Sequence, residues 1–326
     1  MQAPRVSPSA YRRITALATF ALAFIIVTGG AVRITDSGLG CPDWPTCAED
    51  RLVAPWEYHA MVEFVNRTVT GLVSVAVILA VLASLRRQPR RRDLTWLSLG
   101  LVGGVVAQII LGGLTVLFHL KPQFVMGHML LSMVLLANAV ILHHRAGQPD
   151  GEGGRRAPVR NNVPGEVVSM GKLVLVAAGL VVFLGTVVTG SGPHGGDPDV
   201  ERLSFAVPDV ARAHGASVVL FLSLTLVTLW RLRRAALPGP NATIGAPLAA
   251  MRAGEILLAV SVAQAAVGYI QYFTGVPELL VGIHIAGAAA VWATAVRFLA
   301  TLAWGSDEER PADLAQRPEP APASRQ

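Results

Sequence analysis

The chain has 326 residues, of which 52% are hydrophobic and 15% are charged. So few charges indicate that the apolar residues are gathered into long runs, which is typical of membrane proteins and not of soluble domains. The net charge of +6 would suit nucleic acid, but most basic residues lie in short segments beside apolar runs. Membrane orientation explains that pattern better, so we expect no nucleic-acid partner.

Eight apolar runs are each long enough to cross about 30 Å of hydrocarbon at about 1.5 Å per helical residue. They cover roughly residues 14–32, 59–84, 94–118, 123–144, 171–190, 210–230, 251–273 and 279–303. The first run follows Arg12 and Arg13 as a secretory signal would, but it has the length of a full span and no small-residue cleavage site before Arg33. The sequence therefore predicts an all-α polytopic membrane protein of eight transmembrane helices.

Basic residues concentrate on one side of the predicted membrane. Arginines precede the first span and follow the second, fourth and sixth spans, whereas acidic residues predominate in the other loops. The positive-inside rule then places both termini in the cytoplasm. We predict a multi-pass protein of the bacterial plasma membrane.

The spans fall into two halves. We predict an N-terminal half over 1–145, a cytoplasmic linker over 146–170, a C-terminal half over 171–304 and a cytoplasmic tail over 305–326. Residues 146–166 and 305–326 are rich in Gly, Pro, Arg and Glu and lack apolar periodicity. Such segments bury too little surface to offset the entropy of ordering, so we expect a linker and a disordered tail.

An internal repeat relates the halves. A shift of 156 places Ala107, Gln108, Gly112 and His128 on Ala263, Gln264, Gly268 and His284, and a shift of 161 places residues 27–29 on residues 188–190. Each half contains an even number of spans, so the halves share one orientation. The repeat predicts two pseudo-symmetric four-helix bundles side by side, related by an axis along the membrane normal.

Three histidines lie inside predicted spans at matched depth. His128, His214 and His284 each follow the outer end of a span by a few residues, which corresponds to roughly 6 to 9 Å below the boundary. Each needs a partner or ligand because an ionisable group is costly in a bilayer. A single one could be a hydrogen-bonding or interface residue, but three at one depth favour ligation of haem iron between helices. His214 and His284 are the predicted axial pair.

The second span begins with three polar residues, Glu63, Asn66 and Arg67. Glu63 and Arg67 are four residues apart, so a structural ion pair is one reading and a role in chemistry is the other. A shift of 148 places Asn66 on His214. The N-terminal half would then hold a haem-sized site with His128 on one side and an amide on the other.

Cys41 and Cys47 are the chain's two cysteines, and they lie in a predicted outer loop. The outer side of the membrane is oxidising, so we predict a disulfide. A redox-active pair, or a metal site with a further ligand such as His59, is the alternative.

These residues together resemble the haem A synthase family over residues 14 to 303. Residues 28–47, with the sequence TGGAVRITDSGLGCPDWPTC, resemble that family's first outer segment. Glu63 and Arg67 fit a glutamate, histidine and arginine motif on its second helix. The three histidines fit those on its fourth, sixth and eighth helices: His128, His214 and His284. Asn66 departs from the pattern, because the family usually has histidine there.

The resemblance implies an oxidoreductase that converts the C8 methyl group of haem O to a formyl group by successive hydroxylations, giving haem A for terminal oxidases. It implies haem b on His214 and His284, haem O as the substrate in the N-terminal half, and Glu63 and Arg67 as catalytic candidates. Asn66, which departs from the pattern, is a third catalytic candidate. It also implies a ferredoxin-like electron donor and haem O synthase as partners. The sequence leaves the oligomeric state open, a homo-oligomer included.

One interpretation of Asn66 is that it leaves a coordination position of the iron open opposite His128. Asparagine is a poor iron ligand, so haem held by His128 alone would keep an open position, with Glu63 near enough to relay protons. Completion of the coordination by some other group is the alternative.

Two other functional classes use similar residues. A di-haem b-type cytochrome that only transfers electrons would need the same histidines but no proton-relaying Glu63. A transporter would account for the repeat and for intramembrane polar residues, but not for histidines clustered at one depth.

Overall fold

A computed structural model describes residues 5–47, 53–157, 163–236 and 248–304. Its helices are α1 (Pro8–Ile34), α2 (Tyr58–Arg86), α3 (Arg92–Leu117), α4 (Pro122–Ala146), α5 (Gly165–Ser191), α6 (Val207–Ala236), α7 (Leu248–Phe273) and α8 (Glu278–Trp304). All eight are long and apolar enough to cross a membrane, which confirms the predicted spans. The predicted tail, 305–326, and residues 158–162 of the predicted linker lie outside the described residues.

Local sequence explains where several helices begin and end. The Ser7 hydroxyl accepts a hydrogen bond from the Ala10 amide at 3.2 Å, and Pro8 opens α1. Two left-handed residues, Leu120 and Val276, follow α3 and α7 with φ of 55° and 61°. They occupy equivalent positions of the repeat, so both halves turn in the same way before α4 and α8.

Each half is a ring of four helices. In the first half α1 and α3 each contact α2 and α4, and in the second half α5 and α7 each contact α6 and α8. Helices α2 and α4 therefore lie across the first ring from one another, and α6 and α8 do so in the second. The halves meet through contacts of α8 with α1 and α4 and of α4 with α5. This is the pair of bundles that the repeat predicts.

Small residues let the helices pack closely while large apolar side chains face outward. An ideal Cβ on Gly104 would clash with the Leu135 side chain, and one on Gly254 would lie 2.8 Å from Phe298. Outward-facing Leu72 and Val176 are 66% and 70% exposed. Close contacts at small residues and exposed apolar faces are typical of helices packed within lipid.

The bundle has two distinct ends. We call the end that holds the α1–α2, α3–α4, α5–α6 and α7–α8 connections the disulfide end, because Cys41 and Cys47 lie there. We call the opposite end, which holds the α2–α3 and α4–α5 connections, the arginine end. At the arginine end Arg87 and Arg91 are each only 1% exposed, although both carry a charge.

Residues that follow α4 pair with these buried arginines. Asp150 lies 2.9 Å from Arg87, and the Gln148 carbonyl accepts a hydrogen bond from Arg91 at 3.1 Å. The Gln148 amide also donates to the Trp304 carbonyl at 3.0 Å. The segment predicted to be a linker is therefore structured as far as residue 157, with a 3₁₀ turn at Glu152–Gly154. The composition of this segment did not predict its structure. Contacts with two buried guanidinium groups stabilise the segment, rather than burial of apolar side chains.

We predict that Asp150→Asn destabilises the protein, since it leaves buried Arg87 without a charge partner. Loss of one member of a buried ion pair typically costs about 3 to 5 kcal/mol. Asp209→Asn is the matched control, because its pair with Arg212 is 72% and 79% exposed and such pairs contribute roughly 0 to 1 kcal/mol. The measurement is the thermal midpoint of each purified variant in detergent. Equal midpoints for the two variants would contradict the prediction.

Candidate functional site

His214 on α6 and His284 on α8 face one another across the second ring. Their ring centroids are 6.4 Å apart and their planes are inclined by 70°. Two imidazoles that share one metal ion at about 2 Å per nitrogen have ring centres roughly 6 to 6.5 Å apart. The spacing therefore suits one metal ion held between the two rings.

The tautomer of His214 is fixed by α5. Its Nδ1 lies 3.1 Å from the Val181 carbonyl, which can only accept, so Nδ1 carries the proton and Nε2 keeps its lone pair. A ligating histidine usually donates its other ring N–H to such a partner. Gly185, one turn along α5, leaves room for the ring: an ideal Cβ there would lie 3.3 Å from His214 Cε1. The sequence did not predict the roles of Val181 and Gly185, because a contact through a backbone carbonyl does not depend on the type of side chain.

His284 is positioned by α7. The Gln264 amide donates to the His284 carbonyl at 2.8 Å, and an ideal Cβ on Gly268 would lie only 2.9 Å from the ring. The ring's Nδ1 is buried and has no hydrogen-bond partner among the described residues. A buried nitrogen of this kind is costly unless a ligand or water satisfies it. The glycine cradle, the fixed His214 tautomer and the ring spacing all fit a haem, whose iron His214 and His284 would hold.

His128 on α4 repeats the surroundings of His284. The Gln108 amide donates to the His128 carbonyl at 3.1 Å, and an ideal Cβ on Gly112 would lie 3.1 Å from the ring. Asn66 lies on α2, the helix across the first ring, and within the first turns of that helix, as His214 does on α6. Its Oδ1 is buried and has no hydrogen-bond partner within the described part of the chain. The two halves thus share one frame around the α4 and α8 histidines but differ on the opposite helix.

Glu63 is only 5% exposed, and both of its carboxylate oxygens accept hydrogen bonds. Oε2 accepts from the Cys41 amide at 2.8 Å, and Oε1 accepts from Arg67 at 2.6 Å. Arg67 also donates to three backbone carbonyls in the α1–α2 connection, those of Cys41, Asp43 and Thr46. The structure therefore brings Glu63 and Arg67 together as an anchor for that loop.

Cys41 and Cys47 form a disulfide with their Cα atoms 4.3 Å apart, as predicted. Between them, Trp44 packs on α3 at Gly113, where an ideal Cβ would lie 2.8 Å from the indole. Gly112, the adjacent residue, contacts His128. The disulfide loop therefore covers the first ring at its disulfide end, close to His128.

The alternative to a structural disulfide was a metal site formed by the cysteines with a further ligand. His59, the further ligand considered for a metal, has its Nδ1 3.0 Å from the Ser37 hydroxyl. Within the described ranges no three His, Cys, Asp or Glu residues are arranged to hold a metal ion. Haem differs from a bare ion in this respect, because the porphyrin itself supplies four ligands.

The α5–α6 loop has no cysteines, and α1 holds it instead. Arg33, near the end of α1, donates from Nε to the His194 carbonyl at 2.6 Å and from Nη2 to the Thr189 carbonyl at 2.8 Å. His194 Nε2 in turn donates to the Val276 carbonyl in the α7–α8 turn at 3.0 Å. Arg33 thus joins the two halves at the disulfide end. The sequence indicated no separate role for Arg33, which belongs to the segment over residues 28–47 that resembles the family.

These features define a polytopic helical membrane protein of two repeated four-helix halves, with a histidine pair in one half and a disulfide-covered site in the other. Sequence comparison then identifies its family. Residues 12–193 match COX15-CtaA, described as cytochrome oxidase assembly protein. The match covers more than half of the chain, from α1 through α5, and the chain belongs to this family.

Curated relatives carry a more specific name. The chain is 27% identical over 179 residues to a heme A synthase of Exiguobacterium sibiricum, a match that covers 53% of this chain and 57% of that protein. It is 35% identical over 187 residues to a heme A synthase of Symbiobacterium thermophilum, covering 54% of this chain and 58% of that protein. The chain therefore spans little more than half the length of these relatives.

Proposed function

We propose that this protein is a haem A synthase, an oxidoreductase that converts the C8 methyl group of haem O to a formyl group by successive hydroxylations. Family membership and the name shared by its relatives support this function. The observation that carries it is the His214–His284 pair, with ring centres 6.4 Å apart and one tautomer fixed by a backbone carbonyl. A catalyst that oxidises a methyl group needs such a redox centre beside its substrate site.

The second half is the proposed haem b site, with His214 and His284 as the iron ligands. Bound there, haem b supplies one-electron transfer. The Val181 carbonyl orients the His214 imidazole and increases its basicity. Gly185 and Gly268 leave the rings the space that any larger residue would take.

The first half is the proposed substrate site, with His128 as the ligand to the iron of haem O. Asn66 lies where the second half has a histidine, so the position on that side is left without a strong protein ligand. Glu63 lies one helical turn from Asn66, and we propose that it moves protons or stabilises charge during oxidation of the methyl group. Arg67 holds Glu63 and the disulfide loop in place over this site.

The rival reading is a di-haem cytochrome that acts only in electron transfer. Such a protein needs two haems that change coordination little as they gain and lose electrons. Asn66 favours the enzyme, because an amide in place of an axial histidine makes the two sites unequal. The buried, unpartnered Asn66 Oδ1 would suit a site that receives another molecule.

We further propose that the protein lies in the bacterial plasma membrane with the arginine end in the cytoplasm, since basic residues favour that side. Both termini would then be cytoplasmic and the disulfide would face the oxidising side. A ferredoxin-like electron donor and haem O synthase are the proposed partners.

We predict that His214→Ala or His284→Ala abolishes the low-spin bis-histidine haem spectrum and leaves a folded membrane protein, because each change removes one axial ligand. His119→Ala, which changes an exposed residue at the same end, is the control and should keep the spectrum. Mass analysis of the haem extracted from the unaltered protein should find haem O or haem A beside haem b. A low-spin spectrum that survives in both variants would refute the axial assignment, and haem b alone would favour the rival cytochrome.

We predict that Glu63→Gln retains haem b but stops conversion of haem O to haem A, because an amide cannot accept a proton. Arg67→Gln is the matched control: it weakens the same loop anchor but leaves the carboxylate in place. We expect Arg67→Gln to retain conversion at a reduced rate, measured by mass analysis of haem extracted over time. If both variants lose conversion and haem to the same extent, Glu63 serves only to anchor the loop.

A further inference from the structure

Arg33 has more N–H groups than its two hydrogen bonds to backbone carbonyls use. Haem carries two propionate carboxylates on one edge, and a haem between α6 and α8 must place that edge near some cation or in water. We propose that Arg33 binds a propionate of the haem held by His214 and His284. This inference rests on the proposed haem site.

Arg33 contacts α5 on the face that also contacts His214. The Val181 carbonyl contacts His214, the Gly185 position contacts the His214 ring, and the Thr189 carbonyl accepts a hydrogen bond from Arg33 at 2.8 Å. Residues spaced by four lie on one face of a helix, about one turn apart. The guanidinium group of Arg33 therefore lies beyond the histidine, about one turn further toward the disulfide end.

Helix α1, which carries Arg33, packs against α8, which carries His284. An ideal Cβ on Gly30 would lie 2.9 Å from the Ile285 side chain, and one on Gly282 would lie 3.3 Å from the Ile34 side chain. Arg33 belongs to the same turn of α1 as Ile34, and His284 precedes Ile285. Although Arg33 belongs to the first half, it therefore lies beside the outer turn of the helix that carries the second axial histidine.

Arg33 and Arg202 bring positive charge to the disulfide end of the bundle. Among the described residues no carboxylate lies within ion-pair distance of Arg33 or Arg202. Arg202 adds a second positive charge close enough to act on Arg33. The hydrogen bonds of Arg33 use Nε and Nη2, so the N–H groups of Nη1 have no partner in the described part of the chain. Two positive charges without a carboxylate at ion-pair distance favour an anionic ligand, and Arg binds carboxylates strongly.

A purely structural role must be separated from this one, because Arg33 also joins the halves through His194 and Thr189. Loss of that bridge would weaken binding of any porphyrin. Loss of a propionate contact would weaken binding only of a porphyrin with free carboxylates. Haem b and its dimethyl ester differ in this feature alone, so the ratio of their affinities isolates the contact.

The experiment titrates full-length apo-protein from haem-deficient cells with haem b and with haem b dimethyl ester, followed by the low-spin absorption band. We expect Arg33→Gln to weaken binding of haem b about tenfold more than binding of the ester, as loss of a charge-assisted hydrogen bond does. Arg33→Lys keeps the charge and should keep part of the preference for free propionates. Arg212→Gln is the control: its side chain is 79% exposed, and it lies two residues before His214, on the opposite side of α6.

Equal weakening of haem b and ester binding by Arg33→Gln would overturn the inference and leave Arg33 a bridge between the halves. So would an unchanged affinity for haem b. If the unaltered protein gives no low-spin band with either porphyrin, the haem site itself is refuted, which is a different failure from a lost preference.

Discussion

An imidazole inside a bilayer must find a partner, and the rest of this structure is organised around three of them. Water is absent at that depth, so an unsatisfied ring nitrogen costs several kcal/mol. The chain surrounds His128 and His284 in the same way, with a glutamine on the histidine carbonyl and a glycine against the ring. His214 is held differently, by the Val181 carbonyl of α5. A Cβ at these glycine positions would crowd each ring, lying 2.9 Å from His284 at Gly268 and 3.1 Å from His128 at Gly112.

The shared frame makes the difference between the halves meaningful. Duplication of one four-helix unit would give two equal sites, each with a histidine on both facing helices. Here the second half keeps both histidines, whereas the first half has Asn66 on α2. The first half also carries what the second lacks: a disulfide loop anchored by Glu63 and Arg67. This difference is the basis for proposing a permanently held cofactor in the second half and a substrate that enters and leaves in the first.

Sequence was sufficient for the features that depend on side-chain type and spacing. Apolar run length predicted the eight helices, the oxidising side predicted the Cys41–Cys47 disulfide, and the shift of 156 predicted that His128 and His284 have equivalent surroundings. The sequence did not predict contacts in which a side chain hydrogen-bonds to a backbone carbonyl. The contacts of Val181 with His214 and of Thr189 with Arg33 follow from how helices pack and not from any residue type. Order in residues 146–157 was missed for a related reason, since it depends on the distant buried Arg87 and Arg91.

The most direct test of this asymmetry is electron paramagnetic resonance of the ferric protein loaded with haem b and haem O. The arrangement of His214 and His284 predicts a low-spin bis-imidazole signal. The pairing of His128 with Asn66 predicts a high-spin signal from an equal amount of a second haem. Asn66→His should convert that high-spin signal to a second low-spin one. Two low-spin signals in the unaltered protein, or a spectrum that Asn66→His does not change, would contradict the unequal sites on which the proposed function depends.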